Sequence, residues 1–278
     1  MKNLPDFQQA KRQGDKLVMV TAYDYPTARL AEEAGVDIVL VGDSLGMVVL
    51  GYDSTVAVTM DDMIHHTRAA RRGARNTFMI TDMPFMSYQI SSAQALENAA
   101  RLLREGGCEA VKVEGGAEIA EQVRALVRAG IPVCGHVGLT PQSATALGGY
   151  KVQARTAEAA TKLLDDALAL EAAGAFMIVL ECIPVQVSGL VTDKVSVPTI
   201  GIGAGNACDG QVLVWHDALG LFERFVPKFV KQFETLGARG REGLADYAEQ
   251  VRAGTFPGPD HSFSMKDEEV QRIYGGRL

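Results

Sequence analysis

The chain has 278 residues, 47% of them hydrophobic and 22% charged, enough for one domain to bury a large core and too apolar for disorder. Its 27 Lys and Arg against 34 Asp and Glu give a net charge of −7, which argues against nucleic-acid or anionic-membrane partners and for small-molecule chemistry. Four scattered cysteines without a CxxC pair, no apolar leader in MKNLPDFQQAKRQGDK and no apolar run long enough to span a bilayer read as a soluble, cytoplasmic protein with reduced thiols.

A helix is expected over about residues 3–12, placed to close the bottom of a barrel. Eight short β-branched runs then alternate with Ala-rich amphipathic stretches: LVMVT at 17–21, DIVLV at 37–41, FMITD at 78–82, AVKVE at 110–114, PVCGH at 132–136, FMIVLE at 176–181, PTIGIG at 198–203 and QVLVWH at 211–216. Eight βα units fit a single-domain (β/α)8 TIM barrel over about 17–236, with a C-terminal helical tail over about 237–278; a doubly wound open sheet is the alternative. A weak repeat supports the barrel. EEAGVDIVLVGD, REGGCEAVKVE and EAAGAFMIVLE each place a glycine before a strand, as a left-handed helix cap, and an acid after it; RAGIPVCGH ends in a histidine instead.

Asp43, Asp82, Glu114 and Glu181 each follow an apolar run, so they should converge at the carboxyl ends of the strands, where barrel enzymes keep their chemistry. Four carboxylates on one rim repel unless a cation or shared protons intervene, and a divalent metal such as magnesium is the simpler answer. Alternation along AVKVE sets Ala110, Lys112 and Glu114 on one face and the valines on the other, so Lys112 should point inward and pair with Asp82, Glu114 or an anionic substrate. His136 closes the fifth strand either as a core histidine or as a catalytic group. GIGAG at 201–205 reads as a phosphate-binding turn or as a tight packing turn, with no Lys or Arg adjacent to favour phosphate. The apolar run GMVVLGY at 46–52 suggests a surface that assembly covers.

Long motifs resemble one family, the ketopantoate hydroxymethyltransferases: YDYPTARLAEEAGVDIVLVGDSLGMVVLGYDSTVAVT at 23–59, VKVEGG at 111–116, GHVGLTPQS at 135–143, GAFMIVLECIP at 174–184, and PTIGIGAG succeeded by CDGQVLVWHD ending at Asp217. The resemblance implies Mg2+ surrounded by Asp43, Asp82 and Glu114, a 2-oxo acid held by Asp43, Ser44, Asp82, Lys112 and His136, and Glu181 as general base. It implies hydroxymethyl transfer from 5,10-methylenetetrahydrofolate to 3-methyl-2-oxobutanoate, giving 2-dehydropantoate on the way to pantothenate, and a homo-oligomer, commonly a decamer. The runner-up is a magnesium-dependent lyase or mutase of the phosphoenolpyruvate/isocitrate-lyase type, which a reactive cysteine would favour. Met86 in DMPFMSY and Ala154 in KVQAR stand where glycine is usual in the family, which bears on local loop shape.

Overall fold

In the computed structural model, which describes residues 1–275, eight parallel strands close into a barrel in the order β1 to β8. They are β1 Leu17–Thr21, β2 Ile38–Val41, β3 Phe78–Asp82, β4 Ala110–Glu114, β5 Val133–Gly138, β6 Met177–Glu181, β7 Thr199–Ile202 and β8 Gly210–Leu213. The open-sheet alternative is thereby excluded, since β8 pairs with β1 through Leu17–Val20. Residues 276–278, the end of the expected tail, lie outside the described residues.

Period-two alternation sorts each strand between two cores. Ile38, Leu40, Phe78, Ile80, Ala110, Cys134, Met177 and Val179 fill the barrel, while Val39, Val41, Met79, Val111 and Val113 pack under the surrounding helices. The first helix, Leu4–Gln13, is fixed by an Asn3/Asp6 capping box and ends at Gly14 in the left-handed conformation. It seats the fully buried Phe7 against Phe78, with ring centroids 5.0 Å apart and planes at 82°. That burial closes the amino-terminal end and stabilises the fold by about 1.5–3 kcal/mol. The glycines expected as helix caps all have positive φ: Gly35 at 78°, Gly107 at 86°, Gly130 at 85° and Gly174 at 103°.

Two expectations are corrected. The last run does not continue as strand to His216: β8 stops at Leu213, the Trp215 N–H donates to Thr21 Oγ1 at 2.9 Å, and Trp215–Ala218 forms a short helix. The run at 46–52 is mostly folded inward, since Gly46 is buried and Met47, Val48 and Leu50 are half-buried, leaving Val49 and Tyr52 exposed among its large side chains. The apolar stripe lies instead on the tail helix Leu236–Ala253. That helix has no buried residue, and Leu244, Tyr247 and Val251 stand exposed at helical spacing along one face. Among the described residues, no helix is long and apolar enough to cross a membrane.

Met86 and Ala154 explain themselves in the backbone. Both are left-handed, with φ of 62° and 54°, a conformation that costs a side-chain-bearing residue and glycine tolerates. Met86→Gly is expected to raise stability by about 0.5–1 kcal/mol, the relief of strain exceeding the entropy glycine adds to the unfolded chain. Ala154→Gly should gain less, because Ala154 is buried and loses a packed methyl group. Paired urea melts of the two variants check both the sign and the order.

Candidate active site

The carboxyl ends of the strands open into one cavity of about 390 Å3, and Asp43, Ser44, Asp82, Lys112, Glu114, His136 and Glu181 all line it. Strand register does the assembly. Asp82 on β3 sits opposite Lys112 on β4, and Glu114 on β4 opposite His136 on β5, so alternation turns all four side chains to the same face. Lys112 Nζ lies 3.2 Å from Asp82 Oδ1 and 3.1 Å from His136 Nδ1, as the AVKVE alternation requires.

Asp43, Asp82 and Glu114 are buried carboxylates facing one ammonium. Burial, then Glu114 and Asp82, hold the Asp43 carboxyl well above its usual range. Asp82 is also raised, burial outweighing Lys112 and the Asp43 N–H that donates to its Oδ2 at 3.0 Å. Glu114 goes the other way. Burial opposes its charge, but His136, Lys112 and the Gln142 N–H at 3.0 Å outweigh it. The three acids keep Lys112 protonated despite its burial. Asp82 Oδ1 makes no hydrogen bond, because Lys112 approaches within ion-pairing distance but off the hydrogen-bonding line. Among the described residues no three His, Cys, Asp or Glu groups are drawn into a ready-made metal cluster; the acids are engaged by Lys112, Gln142 and backbone N–H groups instead.

His136 joins the two halves of the site. Its Nδ1 is 3.4 Å from Glu114 Oε1 and its Nε2 is 3.2 Å from Glu181 Oε2. Burial and Lys112 push its pKa down, but the two glutamates prevail and lift it to about 9. The contact with Lys112, which can only donate, asks Nδ1 to be an acceptor and so favours the neutral ring. Either way the proton on Nε2 faces Glu181, because a neutral ring accepting at Nδ1 carries its hydrogen on Nε2.

The Glu181 backbone is fixed by its neighbours. Leu139 N–H donates to its carbonyl at 2.9 Å, and an added Cβ on Gly138, whose φ is 100°, would lie 2.3 Å from that oxygen. Cys182 comes next at φ 47°, bending the chain away at the end of β6, with its N–H on Ile202 O at 2.9 Å. The GIGAG turn packs against this corner: a Cβ on Gly203 would meet Phe229 at 2.7 Å and Cys182 Sγ at 3.2 Å, which favours the packing reading of that turn.

Three residues of the site are not singled out by the sequence. Gln142 Nε2 donates to Asp43 Oδ2 and to Met83 O, both at 2.9 Å, so one buried amide ties β2, β3 and the loop after β5 together. Tyr88 accepts from Glu114 N–H at 2.9 Å and donates to Gln142 Oε1 at 3.0 Å, and Tyr23 shares a hydrogen bond with Ser44 at 2.8 Å. All three sit outside the strands, where hydropathy periodicity carries no signal; Gln142 is marked only by its place in the GHVGLTPQS motif. The cysteines carry no reactive-thiol signature. Burial pushes Cys134 and Cys182 up to about 12, and beside Cys182 the charge of Glu181 raises it further.

A sequence model described as ketopantoate hydroxymethyltransferase matches residues 1–259. A 3-methyl-2-oxobutanoate hydroxymethyltransferase of Heliobacterium modesticaldum is 60% identical over 271 residues, 98% of this chain and 98% of its own length. One of Geobacillus kaustophilus is 57% identical over 277 residues, 100% of this chain and 99% of its own length. Among solved structures, phosphonopyruvate hydrolase in complex with oxalate and Mg++ superposes with a TM-score of 0.61 at 14% identity, covering 99% of this chain and 95% of that one. 2,3-Dimethylmalate lyase, a PEP mutase/isocitrate lyase superfamily member, gives 0.55 at 17% identity over 98% and 94%. Those two share the barrel alone, whereas the hydroxymethyltransferases share more than half of their residues along nearly their whole length; the chain belongs to the ketopantoate hydroxymethyltransferase family.

Proposed function

We propose that this chain transfers a hydroxymethyl group from 5,10-methylenetetrahydrofolate to 3-methyl-2-oxobutanoate, giving 2-dehydropantoate and tetrahydrofolate. One water is consumed, its oxygen becoming the new hydroxyl. The observation that carries the reading is the pairing, in one cavity, of an acid cluster short of positive charge with a separate carboxylate, Glu181, 3.2 Å from His136 Nε2. Mg2+ fits that shortage, since the donors are hard oxygens, Asp43 and Asp82 are both pushed toward neutrality without a cation, and Asp82 Oδ1 has no hydrogen-bond donor. Asp43, Asp82 and Glu114 would hold it, and when bound it supplies the positive charge that makes the 2-oxo oxygen an electron sink.

The chain's own groups do the rest. Lys112, kept charged, and Ser44, oriented by Tyr23, hold the oxo acid with its carboxylate toward the ammonium. Glu181 takes the proton from C3, with His136 Nε2 3.2 Å from its Oε2 at ion-pairing distance. The resulting nucleophile attacks the methylene carbon of the folate, one carbon–nitrogen bond breaking as the carbon–carbon bond forms. Water then replaces the second nitrogen, leaving the hydroxyl on the product, and the C3 proton and one water proton end on the two nitrogens of tetrahydrofolate. The closed barrel floor excludes water from below. Assembly into a homo-oligomer, the family's decamer, is supported by the exposed apolar stripe of Leu236–Ala253.

A coupled assay with the purified chain should form 2-dehydropantoate only when the oxo acid, methylenetetrahydrofolate and Mg2+ are all present. Product formed without folate, or cleavage of the oxo acid in place of its hydroxymethylation, would overturn the assignment.

A further inference from the structure

The cavity extends beyond the acid cluster. Its lining also includes Val214 after β8, the phenylalanines Phe222, Phe225 and Phe229, and Asp217, which sits in the short helix Trp215–Ala218. Asp217 is 8% exposed, it lines the cavity, and among the described residues its carboxylate has no hydrogen bond and no ion pair. Burial alone lifts its pKa to about 6, with no neighbouring cation to offset it. Its oxygens are not among the buried polar atoms left without a partner, so they open onto the cavity, a space of the size that small-molecule ligands occupy. The group that would satisfy it is a ligand edge with two adjacent N–H donors on a flat ring, the carboxylate accepting both and the phenylalanines covering the faces.

Given the one-carbon donor of the proposed function, on which this inference rests, such an edge exists: the 2-amino-4-oxo pyrimidine of the pterin presents N3–H and the 2-amino group side by side. We propose that Asp217 is the specificity residue for the folate, accepting those two hydrogens and so setting the depth at which the methylene carbon meets the oxo acid. The acid cluster and Glu181 act on the oxo acid; Asp217 acts on the donor's far end.

The test compares tetrahydrofolate with its 2-desamino analogue on the full chain with Mg2+ and oxo acid, in wild type and in Asp217→Asn, by calorimetric dissociation constants. Wild type should bind the desamino compound about 10- to 100-fold more weakly, as expected for a charge-assisted hydrogen bond. Asp217→Asn should weaken tetrahydrofolate by a similar factor and lose most of the discrimination, so that the two losses do not multiply. Equal affinity of wild type for both compounds overturns the inference, and so do losses that multiply. Should Asp217→Asn fail to fold, Asp217→Ser takes its place in the same comparison, and a variant that keeps the wild-type discrimination overturns the inference. Exchange of the C3 proton of 3-methyl-2-oxobutanoate, which needs no folate, separates the two readings. Wild type that neither exchanges nor forms product loses the proposed function itself; wild type that turns over but ignores the 2-amino group loses only the role of Asp217.

Discussion

Glu181→Gln is expected to slow exchange of the C3 proton of 3-methyl-2-oxobutanoate by about 10²–10⁴-fold while leaving oxo-acid affinity nearly unchanged. The amide keeps the size of the side chain and can still meet His136 Nε2, now 3.2 Å from Glu181 Oε2, but it has no lone pair basic enough to accept a carbon-bound proton. The exchange isolates this step, because it runs in deuterated water with Mg2+ and without folate, and NMR tracks it directly. The backbone around the position is held by Leu139 N–H and by the close approach of Gly138, so the variant should melt with the wild type. A rate equal to wild type would remove Glu181 from the role of base and leave His136, the other proton-bearing group on that wall, as the candidate.

How much of the fold is legible in the sequence depends on which forces write themselves into local pattern. β1, β3 and β4 occupy the runs expected for them; β3 and β4, buried on both faces, are short apolar runs between polar ends, and β1 keeps the same β-branched character although Val18 is exposed. Alternation alone places Asp82, Lys112 and Glu114, and the barrel honours it. The end of β8 is misjudged because Val214 and Trp215 prolong the apolar pattern; the strand stops where the Trp215 N–H leaves the ladder for Thr21 Oγ1, a long-range contact with no local mark. Gln142 and Tyr88 escape notice for the same reason. Each is buried by loops whose path depends on tertiary packing, and a buried amide looks like any surface glutamine until its partners are known. Met86 and Ala154 show a middle case, where the family resemblance flags the missing glycines and the left-handed backbone supplies the reason.

Asp43→Asn tests the cation side of the site with two readouts that should move in opposite directions. Turnover should fall by about 10³-fold or more, since a bound divalent cation contributes several kcal/mol of charge stabilisation to the reaction and the amide is a poor substitute for a carboxylate ligand. Stability without a cation should not fall. In the wild type, burial, Glu114 and Asp82 all oppose the charge on Asp43, so a neutral isostere removes a penalty; the amide oxygen still accepts from Gln142 Nε2, which now reaches Oδ2 at 2.9 Å. The variant should therefore melt at or above the wild type in chelator. Adding Mg2+ reverses the order, because a ligand that binds only the folded state at 100 times its Kd stabilises by about 2.7 kcal/mol, and the wild type alone should gain this. Thermal melts of both proteins with and without Mg2+ read the crossing. A wild type that gains nothing from the cation, or a variant that gains as much, would remove Asp43 from the metal site and leave the acid cluster to be balanced by protons shared among its members.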